Sequence, residues 1–322
     1  MVTSLYMKMM VLLAALFAII YAIVSIFMSA LGVGNFYFYI VFAIFIVGIQ
    51  YFIGPKIVEM TMRVRYIKRQ EFPSLYNMVV ELARRAKIPT PRVAISEVGV
   101  PNAFAFGRSL QDGRVCVTRG ILNLLNEEEL KAVLGHELSH LKNRDVLFIT
   151  LLSVIPLIMY RIAFQFLFFG SFSRRRDSGG YTVLLGLAAF LFYFITNLLV
   201  LYASRIREYF ADRGSIQLGN SPHDLATALY KLVYGSARTP REHLKEIEGI
   251  KAFFLNDLSR ARREIQELSQ VDLDHSGTID AYELKFLQDK PLHLSFTERL
   301  MEIMSTHPNM LKRIQQLAQY QK

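Results

Sequence analysis

His136-Glu137-Leu138-Ser139-His140 is the stretch from which the rest of this chain is read. On a helix, residues four apart share a face, so the two imidazoles converge on one point while Glu137 stands about 100° around the axis. Two neutral imidazoles and one further ligand hold Zn²⁺ with a position open to water, and the adjacent carboxylate can take that water's proton. The local sequence predicts the helix. Asn126 serves as N-cap, Glu129 completes a capping box, and Leu130, Val133, Leu134, Leu138 and Leu141 form an apolar stripe. The pattern is short, and two buried helix histidines would satisfy it equally, so its context has to decide.

Composition supplies the first context. The chain is 52% hydrophobic with a mean hydropathy of +0.29 and long uncharged apolar runs. It reads as a multi-pass membrane protein carrying a soluble part. A single cysteine, Cys116, allows no intramolecular disulfide, in keeping with a reducing compartment. The net charge of +10 is assigned to basic residues flanking membrane spans, and no nucleic-acid motif accompanies it.

Met9–Ala30 and Phe36–Ile53 are each long enough to span, and the turn 31–35 joins them into a hairpin. The first run is too long for a signal peptide and is followed at once by a second. Lys56, Arg63, Arg65, Lys68 and Arg69 follow the second run, which places the N-terminus and the chain after Gly54 in the cytoplasm, at the cell (inner) membrane. A soluble part spans 56–145. It begins with an amphipathic helix over Phe72–Ala86, then short strands at Arg92–Ser96, Ala103–Phe106 and Arg114–Thr118. A free strand edge beside a zinc cleft can pair with an extended substrate.

Two more apolar runs, Val146–Phe169 and Tyr181–Ala203, form a second hairpin within 146–204. Arg174, Arg175 and Arg176 in its loop oppose the usual charge bias, and Arg161 lies inside its first arm, so the depth of this hairpin stays open. The second arm leads into Ser204-Arg205 and Glu208 to Asp212. Read alone, Glu208 is either a third metal ligand or part of a solvated charged face. Helices are expected at Pro222–Tyr234 and Pro240–Phe253 in the final part, 205–322.

A second metal pattern lies within an insert at about 255–287. Asp272, Asp274, Ser276, Thr278, Asp280 and Glu283 fall in the order of a twelve-residue calcium loop, with Gly277 at its sharp turn. Helices are expected on both sides, Leu255–Leu268 and Tyr282–Leu287. Such loops usually act in pairs and the sequence holds no second one, so both Ca²⁺ binding and a metal-free acidic loop fit.

These motifs together resemble the HtpX-type membrane zinc peptidases, relatives of the CAAX prenyl endopeptidases. The resemblance rests on His136 to His140 with Asn143-Arg144-Asp145, Ser204-Arg205, Glu208 to Asp212, Pro101-Asn102-Ala103-Phe104-Ala105-Phe106-Gly107, and Thr306-His307-Pro308 with Arg313-Ile314 and Leu317. It implies a mainly α membrane protein with a small β-sheet, a gluzincin-type peptidase domain and two transmembrane hairpins. It further implies that His136, His140 and Glu208 bind one zinc, and that Glu137 takes the attacking water's proton and passes it to the leaving amine. Asp212 would orient a ligand imidazole. The strand around Asn102, Ala103 and Phe104 would hold the peptide, and His307 is either an oxyanion donor or a structural histidine before proline. Protein or peptide substrates in extended conformation and the lipid bilayer are the implied partners, with protein quality control under stress as the implied role. The sequence departs from the family at the calcium-type insert and at Gly214-Ser215, where small alanines are usual. The alternatives are a CAAX-type prenyl-peptide endopeptidase, and a non-catalytic calcium-sensing membrane protein with a structural zinc site. Oligomeric state is not legible.

Overall fold

The computed structural model describes residues 36–164, 166, 167, 179–238, 265, 268, 271–274, 276–288 and 296–321. The apolar run Met9–Ala30, its following turn, Arg174 to Arg176 and the expected helix Pro240–Phe253 lie outside the described residues, as does most of Leu255–Leu268. The described residues form two compact units: those up to Ile53 with Leu147–Ser204, and Gly54–Val146 with Arg205 onward.

In the first unit the described parts of the apolar runs are helical. α1 (Phe36–Thr61) contains the run Phe36–Ile53, α5 (Asp145–Phe164) most of Val146–Phe169, and α6 (Gly179–Gln217) the run Tyr181–Ala203. Residues Asp145–Phe164 and Tyr181–Gln217 are each long and apolar enough to cross a bilayer. Ile158, Met159, Ile162 and Ala163 pack on Ala189, and Leu152 and Ile155 on Val200 and Ala203. Tyr181, Leu184, Leu187, Phe190, Leu191 and Phe194 instead lie exposed along α6, an apolar stripe that water would not tolerate bare and lipid does. The hydroxyls of Ser153 and Thr196 donate back to the carbonyls of Ile149 and Phe192, so neither is left unpaired in an apolar medium.

The second unit is built on a four-stranded sheet. Its order is β1 (Val64–Tyr66), β2 (Arg92–Ser96), β4 (Arg114–Thr118), β3 (Ala103–Phe106), with β2 and β4 parallel and the outer pairings antiparallel. The three longer strands match the expected ones. β1 is an addition, three residues in a basic stretch whose period is too short to read. α1 runs past Pro55, beyond the expected end at Ile53. Its last turns place Val58 and Met62 on Ala94, Phe104 and Cys116, and that burial outweighs the roughly 3 kcal/mol a helix-interior proline costs.

α2 (Pro73–Ala86) buries Leu75, Val79, Leu82 and Ala83, and ends at Lys87 in the left-handed conformation, φ 58°. α3 (Arg119–Leu124) is a short link to α4 (Glu127–Lys142), which packs against α2, β3 and α7 (Pro222–Arg238). α8 (Ala281–Phe286), α9 (Phe296–Ile303) and α10 (Met310–Ala318) complete the unit. The common core joins Leu82, Ile95, Val117, Leu134, Leu138, Leu229 and Ile314 among others.

Two glycines set how closely α4 and the end of α6 approach. A Cβ on Gly214 would stand 2.2 Å from Ser139 Oγ, and one on Gly135 would stand 2.8 Å from Ser215 Oγ. The departure at Gly214-Ser215 has its reason here. Gly214 makes room for Ser139, and the Ser215 hydroxyl donates to the Ala132 carbonyl at 2.6 Å.

Candidate metal and catalytic centre

α4 starts as the sequence predicts. Asn126 accepts from the Glu129 N–H, and Glu129 accepts from the Asn126 N–H. The helix carries His136, Glu137 and Leu138 into the interior, where burial fixes their orientation. The two imidazoles meet edge to face with centroids 4.7 Å apart, and their Nε2 atoms are 3.1 Å apart.

The other ring nitrogens each stand beside a carboxylate. His136 Nδ1 lies 2.8 Å from Asp212 Oδ1, and His140 Nδ1 lies 2.6 Å from Asp145 Oδ2. An ionised carboxylate only accepts, so a neutral ring in this position with its proton on Nδ1 would present a lone pair on Nε2. Into the same space Glu208 directs Oε1, 3.5 Å from His140 Nε2, and Oε2, 3.7 Å from His136 Nε2. Oε2 is buried, with His307 Nδ1 and Arg313 Nη1 each 3.3 Å away. Two imidazole nitrogens and the Glu208 carboxylate thus converge on one point.

A cation resolves that arrangement. A tetrahedral ion with bonds of about 2.0–2.1 Å holds its ligand atoms roughly 3.3 Å apart, close to the spacings here. Four carboxylates (Glu137, Asp145, Glu208, Asp212) stand against two guanidiniums (Arg207, Arg313), an excess of negative charge that a divalent ion neutralises. The donor set therefore fits a metal ion, and zinc by ligand chemistry.

Each orienting carboxylate has its own arginine. Arg313, fully buried, donates to both oxygens of Asp212 at 2.6 and 2.9 Å. Burial works against its charge, but Asp212 and then Glu208 more than compensate and keep it protonated. Arg207 pairs with Asp145 and donates to the Asn143 carbonyl at 3.2 Å. His307 closes the group, its Nδ1 3.3 Å from Glu208 Oε2.

Glu137 occupies the remaining side. Its Oε2 accepts from the Ala105 N–H at 2.8 Å. Burial pushes its carboxyl above the ordinary range, Glu208 adds to this, and His136, His140 and the Ala105 N–H oppose it.

The other sequence candidates divide. The Asn102 backbone is committed to Thr118, while Ala103 and Phe104 are buried, Phe104 in the cluster with Cys116. Thr118 N–H donates to the Asn102 carbonyl, so by antiparallel alternation Phe104 and Phe106 bond to β4 while Ala103 and Ala105 face the open edge. Far along the chain, Asp272, Asp274 and Glu283 each offer an oxygen within 4.8 Å of the others. Their oxygens also receive backbone N–H groups. Asp272 takes those of Ser276 and Gly277, and Glu283 those of Leu273 and Asp280. Ser276 and Thr278 hydrogen-bond to each other, and Asp280 caps α8.

Arg207, Arg313 and Asp145 have roles that sequence reasoning did not assign. Asp145 and Arg313 stand inside the quoted motifs, but nothing in one dimension pairs a helix-start aspartate with an imidazole five residues earlier.

The profile of Peptidase family M48 matches residues 69–321. The chain belongs to peptidase family M48. It is 52% identical over 230 residues to the Protease HtpX homolog of Methanothermobacter thermautotrophicus, covering 71% of this chain and 86% of that one. It is 38% identical over 277 residues to the Protease HtpX homolog 2 of Methanosarcina acetivorans, covering 85% and 82%. The crystal structure of S. mikatae Ste24p shares the fold at a TM-score of 0.52 and 15% identity, over 98% of this chain and 67% of that one. The M48 chain is thus an HtpX-type membrane metallopeptidase with a mostly helical, Ste24p-like fold and a small mixed sheet.

Proposed function

We propose that this peptidase hydrolyses internal peptide bonds of misfolded or damaged membrane proteins, in extended segments on the cytoplasmic side, with one zinc held by His136, His140 and Glu208. One observation carries the reading. Two Nε2 atoms and a buried Glu208 carboxylate converge beside a second carboxylate that touches an open strand edge.

Zinc, when bound there, supplies a Lewis acid for the scissile carbonyl and makes water acidic near neutrality. The protein does the rest. Asp212 and Asp145, held by Arg313 and Arg207, fix both imidazoles in the Nδ1–H tautomer. An extended peptide pairs with the outward backbone groups of Ala103 and with the Ala105 carbonyl on β3. Glu137, at the Ala105 N–H, takes a proton from the attacking water and returns it to the leaving nitrogen. His307 donates to the oxygen that gains negative charge.

The calcium-type loop is a separate part of the reading. Asp272, Asp274 and Glu283 would bind Ca²⁺ in the loop order, supported by their oxygen spacing and by Gly277 at φ 82°. A calcium titration that leaves both rate and melting temperature unchanged removes it.

The main test is cleavage of casein by the detergent-purified chain, wild type beside Glu137→Gln, each with zinc quantified. Cutting by the wild type alone, with equal zinc in both, supports the mechanism. Equal cutting by both overturns the role of Glu137, and zinc in both with no cutting by either overturns the reading as a peptidase of unfolded segments.

A further inference from the structure

α9 is amphipathic the wrong way round for a soluble protein. At about 100° per residue, Phe296, Leu300, Ile303 and Met304 fall within an arc of about 100°, and this arc is exposed, Phe296 at 81% and Leu300 at 53%. The two glutamates of the opposite side, Glu298 and Glu302, are buried. Glu302 pairs with Lys312 and accepts the Asn309 N–H. Arg299, also exposed, is the helix's remaining charge, so the outer face carries one cation and no anion.

We infer that α9 is a surface-seated membrane helix, its Phe296, Leu300, Ile303 and Met304 inserted among lipid headgroups and Arg299 at the anionic phosphates. Apolar residues outward with acids inward is the pattern that an interfacial helix needs and that water disfavours. The lipid is indicated by continuity along the chain. Arg205 donates to the carbonyls of Glu302, Ile303 and Ser305 at 2.6–2.9 Å, and it stands two residues after Ala203, the last of the apolar run in α6. The end of α9 is therefore tied to a residue that follows the apolar run by two positions along the chain. Four residues on comes His307, so seating α9 in lipid also seats the segment that reaches Glu208.

The chain contains no tryptophan, so Phe296→Trp and, separately, Leu300→Trp each supply a single indole. The full chain is placed in phosphatidylcholine–phosphatidylglycerol bilayer discs, with Asn77→Trp on the exposed side of α2 as the aqueous reference. The expected result is blue-shifted emission at 296 and 300, quenched several-fold more by acyl-chain bromolipid than the reference and several-fold less by iodide. Iodide quenching equal to the reference at both positions, with no bromolipid effect, overturns the inference. So does a blue shift that appears only when casein is added, which makes the face a protein-binding surface, or one that grows with protein-to-disc ratio, which makes it a contact between copies.

Discussion

Asp145 lies 2.6 Å from His140 Nδ1 and is ion-paired with Arg207, so one carboxylate joins the end of α4 to the part of α6 that brings Glu208. Asp145→Asn keeps the shape and removes the charge that fixes the imidazole proton on Nδ1. We expect zinc affinity to fall about 10–100-fold, read by competition with a chromophoric chelator. Arg207→Met should move affinity the same way, because Asp145 then loses its buried partner. Unchanged affinity in both would assign the pair to folding alone.

His307 stands beside Glu208, its Nδ1 3.3 Å from Oε2, and lies outside the proposed ligand set. His307→Ala should lower kcat about 10²–10³-fold, the size of a lost oxyanion donor, with KM and zinc content nearly unchanged. A loss of zinc in this variant would make His307 a support of the ligand set instead.

Gly214 opposes Ser139 across the contact of α4 with α6. Gly214→Ala drives a methyl group to 2.2 Å from the hydroxyl oxygen, and overpacking of this kind typically costs about 1–3 kcal/mol. Thermal unfolding of the metal-free protein measures it. Ser139→Gly in the same chain should recover part of the loss, since Ser139 Cβ is itself only 2.7 Å away.

Thr227 holds the calcium-type loop without any metal. Its hydroxyl accepts the Ile279 N–H and donates to the Ile279 carbonyl, both at 2.9 Å and buried. Thr227→Val strands both groups at about 1–3 kcal/mol each. The expected outcome is a lower melting temperature and faster proteolysis between α7 and α8, and an unaltered melting curve would show that water replaces the hydroxyl.

Cys116 is fully buried in the central strand, and burial pushes its thiol far above the ordinary range. Thiolate is the reactive form, so iodoacetamide at about pH 8 should leave the folded chain unlabelled and modify it fully in urea. Because the folded thiol ionises later than the unfolded one, its contribution to stability is present below its ordinary pKa of 9.0 and is lost as pH rises beyond that value. Labelling of the native protein at a rate near that of free cysteine would contradict this.

The sequence by itself determined what depends on neighbours within a few residues. The period of four that aligns His136 with His140, the Asn126–Glu129 capping box, three of the four strands and the long apolar runs are all local regularities. One residue's backbone and solvent preference decide them, and they can be read along a line. Family motifs carried the reading to Glu208, but only as a list of residues. The tertiary structure decided the pairings. It joined Asp145 to His140 and Arg207, and Asp212 to His136 and Arg313. It also set the Ala105 N–H on Glu137, and turned the acids of α9 inward. Such contacts bridge up to about a hundred positions, as Arg313 and Asp212 do. Charge and hydrogen-bond geometry act through space, and no period in the sequence records which distant partner will satisfy them.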